Sequence, residues 1–133
     1  MAEFARITIV RRIEWMDTDA AGIYHYTTAF RFAEAAEAAL HTALAIDHIT
    51  FGATPRVSVG FDFASPVAFN DEVSVEIAVT ALGRSSVTYE ITLSHGGVHV
   101  GTGRIVGVFI DRETKRATPW PHEVRAALTG AGR

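Results

Sequence analysis

Residues able to do chemistry crowd into one short stretch, Asp17-Thr18-Asp19, then Gly22, then His25-Tyr26. A carboxylate there can attack an electrophilic carbonyl or activate a water. By residue type alone, an Asp-x-Asp pair ahead of a helix is equally a capping or turn device, and both readings stay open at this point. Gly22 allows a positive φ or a close approach of backbone to a ligand, and Ala20 and Ala21 leave room beside it. His25 is a candidate to line a pocket formed by this stretch. The segment that follows is rich in Ala and Leu and free of Gly and Pro, so it reads as a helix whose leading N–H groups lack intrahelical partners and carry partial positive charge.

Other polar groups carry weaker signals. Glu34, Glu37 and His41 are three and four residues apart and read as a solvated helical stripe or a set of local ion pairs. Arg84, followed by Ser85 and Ser86, lies in a predicted turn where a lone arginine is ordinarily a solubilising residue. Its planar fork of donors, with the serine hydroxyls beside it, would also suit phosphate. The six histidines show no HExxH spacing and there is no cysteine, so no metal site, thiol nucleophile or disulfide framework is expected.

The elements that must position these groups follow from pattern. Residues 5–14, ARITIVRRIE, read as a first strand, and WMDTDAAGIYHY as a loop. A long helix is expected from Thr27 or Thr28, where a hydroxyl suits the N-cap, to about Ile46. Ala29, Ala33, Ala36 and Ala43 would make it thin and let a sheet come close. After a connector holding Gly52 and Pro55, four strand-like stretches begin at Arg56, Asp71, Ser85 and Val98, and a short helix closes the chain. Strand, loop, long helix and four strands joined mostly by hairpins describe an α+β architecture with an antiparallel sheet. The open sheet edge predicts pairing with a second copy, as a homodimer or homotetramer.

Composition narrows the classes. A chain of 133 residues without a linker reads as one domain spanning residues 1–133. Hydrophobic residues at 48% and charged residues at 20% permit a true core. No apolar run reaches membrane-spanning length and no leader is evident, so a cytoplasmic protein with no membrane partner is expected. A net charge of −3 argues against a nucleic-acid partner.

The stretch from Glu14 to Glu37, with Asp17-Thr18-Asp19, Gly22, an aromatic pair and a helix carrying an acid, resembles the 4-hydroxybenzoyl-CoA thioesterase family, including its YbgC-like acyl-CoA thioesterase branch. The resemblance implies a hotdog fold, a five-stranded antiparallel sheet wrapped around one long central helix. It implies hydrolysis of an acyl-CoA, aromatic or short to medium in its acyl group, with no cofactor beyond the coenzyme A of the substrate. It places the catalytic aspartate on Asp19, the loop glycine on Gly22 and the carbonyl-polarising backbone N–H near Tyr26. Coenzyme phosphates fall to Arg84 with Ser85, and Glu34 falls where relatives meet the far end of the acyl group. The order His25-Tyr26 departs from the Tyr-His order of the YbgC-like branch. A thiolate leaves readily, so no Ser/His/Asp triad is required. Competing functions are a non-catalytic acyl or aromatic ligand-binding module on the same scaffold, disfavoured because a binding pocket gains nothing from a desolvated carboxylate, and a hotdog dehydratase, which needs a differently placed Asp and His pair.

Overall fold

The computed structural model describes residues 4–130. Strand β1 (Arg6–Arg12) leads through a 3-10 turn (Trp15–Asp17) and a loop to helix α1 (Tyr26–Ala43). A short helix α2 (Asp47–Thr50) precedes β2 (Arg56–Phe63), β3 (Glu72–Leu82), β4 (Ser86–His95), β5 (Val98–Val108) and helix α3 (His122–Leu128). The five strands form one antiparallel sheet in the order β1-β3-β4-β5-β2, so β1 and β2 are its edges.

Alternation puts Val73, Val75, Ile77 and Val79 of β3 and Val87, Tyr89, Ile91 and Leu93 of β4 on one buried face. Helix α1 meets that core with Ala29, Phe32, Ala33, Ala36 and Leu40. Three alanines on this face allow close approach, as the spacing anticipated, whereas Ala43 is exposed at the helix end.

Two expectations about α1 are corrected. The helix begins at Tyr26 with His25 as N-cap residue, and no side chain caps it. The threonine hydroxyl expected to cap is used elsewhere: Thr28 Oγ1 donates to the Asp17 carbonyl at 3.1 Å, tying the helix to the preceding loop. At the other end, α1 stops at Ala43 rather than Ile46, because Ala45 takes a φ of 58° and turns the chain into α2.

Candidate active site

The loop ahead of α1 is held by Asp17, the first acid of the pair. Its side chain is almost fully buried and accepts the Glu14 N–H at 2.8 Å. It also pairs with the guanidinium of Arg31, one turn into α1. Its carbonyl accepts the His25 N–H at 2.6 Å. Asp17 therefore fixes where α1 starts, and its carboxylate is committed to structure.

Asp19 is placed differently. It is exposed, and the chain reverses just beyond it: the Gly22 N–H donates to the Asp19 carbonyl at 3.0 Å and the Asp19 N–H to the Ile23 carbonyl at 2.9 Å. Gly22 has a φ of 80°, a conformation that strains residues with a Cβ. Within this turn the Asp19 carboxylate accepts the Ala21 N–H through Oδ1 at 2.8 Å, and its Oδ2 accepts no hydrogen bond among the described residues.

Asp19 lines an open cleft of ≈ 340 Å³ together with Ile23, Tyr24, Tyr26, Phe63 and the Ala64–Pro66 segment after β2. Tyr26 is the first residue of α1, and its backbone N–H has no acceptor among the described residues. A residue whose carboxylate has a free oxygen and one with an unpaired, dipole-backed donor thus line one apolar-walled space. Tyr24 is buried against Phe63, their ring centroids 6.1 Å apart edge to face, and burial pushes its phenol above the usual range.

The remaining predicted residues are distributed around this cleft. His25 is exposed with its ring beside that of Tyr26, centroids 5.9 Å apart. Glu34 lies two turns further along α1 and faces a separate cavity of ≈ 230 Å³. Between cleft and cavity stand Phe30 and Phe61, packed edge to face at 5.0 Å. Arg84 and Ser85 form the β3–β4 turn, braced by bonds from Trp120 N–H to the Arg84 carbonyl and from Phe109 N–H to the Ser85 carbonyl. Phe63 pairs with Gly101 and Ser86 with Val108. Arg84 therefore sits at the far end of β5 from the cleft, about 23 Å away at the usual strand rise. One protomer does not bring Arg84 and Asp19 into the same cavity.

The stripe formed by Glu34, Glu37 and His41 is also corrected. Only Glu34 is exposed; Glu37 and His41 are buried at 4% and 2% exposure. Glu37 is ion-paired with Arg56, which sequence reasoning did not single out. The cause is a bulge in β2: Val59 pairs with Ile105, so regular register would place Val57 opposite Gly107, yet Arg56 holds that position. The extra residue flips Arg56 onto the helix face of the sheet. His41 Nδ1 meets Thr50 Oγ1 at 2.6 Å and its Nε2 meets the Tyr89 hydroxyl at 2.5 Å. Because Thr50 donates to the Ile46 carbonyl, the proton sits on Nδ1 and Tyr89 donates to Nε2. Burial, reinforced by Arg56, lowers the His41 pKa to about 4. Burial raises that of Glu37 despite the opposing Arg56 charge.

Among the described residues no three His, Asp or Glu side chains converge on a metal-sized space, and no helix is long and apolar enough to cross a membrane.

An antiparallel five-stranded sheet packed on a helix, with a loop carboxylate close to the helix N-terminus, is the arrangement that the hotdog resemblance implied. Residues 12–128 match the Thioesterase-like superfamily, and the chain belongs to it. It is 27% identical over 121 residues to a 1,4-dihydroxy-2-naphthoyl-CoA hydrolase of Synechococcus elongatus, covering 86% of this chain and 89% of that protein. A gentisyl-coenzyme A thioesterase structure matches with a TM-score of 0.81 at 25% identity, over 92% of this chain and 98% of the other. The structure of a 1,4-dihydroxy-2-naphthoyl-CoA thioesterase from Synechocystis shares the fold, with a TM-score of 0.87 at 18% identity over 96% and 98% of the two chains.

Proposed function

We propose that this protein hydrolyses an acyl-CoA thioester to the free acid and coenzyme A, with Asp19 as the attacking carboxylate. The observation that carries the reading is the shared cleft: Asp19, with a free carboxylate oxygen, and Tyr26, with an unpaired N–H, line the same space. Membership of a thioesterase superfamily supports the reaction class. In the first step an Asp19 oxygen bonds to the thioester carbon while the Tyr26 N–H stabilises the oxyanion. The carbon–sulfur bond then breaks and the coenzyme leaves as thiolate. Water cleaves the resulting mixed anhydride, releasing the acid and restoring the carboxylate.

The apolar walls from Ile23, Tyr24, Tyr26 and Phe63 suit an aromatic or short to medium acyl group. The relatives named for aromatic CoA thioesters agree with that choice. Gly22 shapes the turn that presents Asp19, and His25 borders the cleft mouth. Glu34, beyond the Phe30–Phe61 pair, tunes which acyl groups are accepted. The chain works as one hotdog domain in which the sheet wraps around α1. A second copy docks on the β2 edge, which exposes Val57, Val59 and Phe63. Given the length of β5 between them, Arg84 and Ser85 serve the coenzyme phosphates of the other copy's site.

Single-turnover quenching with a slow aromatic acyl-CoA tests the mechanism. Acylated enzyme, or heavy oxygen from labelled water entering Asp19, is the expected result. If neither appears at any time point while hydrolysis proceeds, Asp19 acts as a general base instead.

A further inference from the structure

One buried donor, on a residue that lines the cleft, has no assigned use. The Tyr24 hydroxyl is buried and has no hydrogen-bond partner among the described residues, although the residue lines the Asp19 cleft. Its backbone N–H donates to the Val67 carbonyl at 2.9 Å, and the residue lies opposite Thr18 in an isolated bridge. The ring packs edge to face on Phe63. The side chain is thus fixed in place with its polar end unsatisfied, an arrangement that disfavours the folded protein and that few buried groups show.

A phenylalanine would fill the same space without that penalty. We infer that the Tyr24 hydroxyl is held in reserve as a second donor to the thioester carbonyl oxygen, joining the Tyr26 N–H once an acyl group enters the cleft. Tyr24 and Tyr26 are two residues apart and both line the cleft, so an acyl group seated there borders both residues. The phenol keeps its proton throughout; it stabilises the oxyanion by hydrogen bonding and transfers nothing. Burial favours this neutral donor form. The inference rests on the thioesterase reading but not on whether Asp19 attacks directly.

The test is Tyr24→Phe, read three ways. Without ligand, Tm should rise by about 3 °C, because an unpaired hydroxyl is removed from a retained packing. Hydrolysis should fall by roughly a hundredfold to a thousandfold in kcat, the range for losing one oxyanion donor. In an Asp19→Asn background, the carbonyl stretch of bound benzoyl-CoA should move to higher frequency when Tyr24→Phe is added, which a purely structural role would not produce. A lowered Tm would mean the hydroxyl is already satisfied in the free protein and would overturn the inference. So would an unmoved carbonyl stretch, or kcat within twofold of the parent. Retained turnover in Asp19→Asn alone would sink the Asp19 assignment while leaving the Tyr24 readouts intact. Failure to bind any acyl-CoA would sink both.

Discussion

The approach to α1 and the second half of that helix handle polar groups in opposite ways. Around its start, Asp19 is exposed, the Tyr26 N–H is unpaired and the Tyr24 hydroxyl is orphaned. In its second half, Glu37 is ion-paired with Arg56, and His41 is bonded through both nitrogens to Thr50 and Tyr89. Unmet hydrogen-bonding groups therefore gather where the chain enters the helix, and a closed network surrounds its other end. Unmet groups cost stability and are retained where a ligand completes them; a satisfied network holds a core in one arrangement.

The largest effect that separates the regions is kinetic. Asp19→Asn keeps the shape and removes the charge, so kcat should fall on the order of a hundredfold or more with Tm essentially unchanged. Asp17→Asn, two residues away, should do the reverse: a lowered Tm from the lost Arg31 pair, with a much smaller loss of turnover. Parallel thermal melts and thiol-release assays decide between them, and if Asp17→Asn proves the more damaging to kcat, the two acids have been assigned in the wrong order.

Breaking the closed network should cost stability. Glu37→Ala leaves Arg56 without its carboxylate on the helix face and should lower the unfolding free energy by about 2–4 kcal/mol in urea titration, less than for a fully buried pair because Arg56 is partly exposed. A change below about 0.5 kcal/mol would show that the pair is screened like a surface bridge.

His41 gives the network a pH signature. Its folded pKa of about 4 lies below the ordinary value of 6.5, so between those values the unfolded chain binds the proton more readily. Its contribution is complete above pH 6.5 and is lost as pH falls through the window towards 4, on the order of 3 kcal/mol in all. Glu37, with its raised pKa, works in the opposite sense above the ordinary carboxylate range. Urea melts at pH 7 and pH 4.5 should therefore show a steeper acid loss in the parent than in His41→Asn; equal slopes would remove His41 as the source.

The smallest effect belongs to Arg84. Its removal should raise KM for acyl-CoA by about three- to tenfold with little change in kcat, and should leave a pantetheine thioester unaffected. Equal losses on both substrates would detach Arg84 from the coenzyme.

The order of the long elements and the antiparallel connectivity were legible in the sequence, which also marked Asp17 to Tyr26 as the candidate site. Those features are local: β-branched alternation makes β3 and β4, alanine density makes α1, and Gly22 makes the turn that presents Asp19. Tertiary structure decided which polar residues became core. Glu37 and His41 have the spacing of a solvated stripe, and nothing nearby in the chain shows that Tyr89 and Arg56 will meet them. Tyr89 arrives through sheet pairing 48 residues away. Arg56 arrives only because one inserted residue in β2 reverses the alternation of its side chains. The distance between Arg84 and Asp19 was likewise hidden, since it is fixed by the length and register of β5, and side-chain parity and strand register exist only once the sheet has formed.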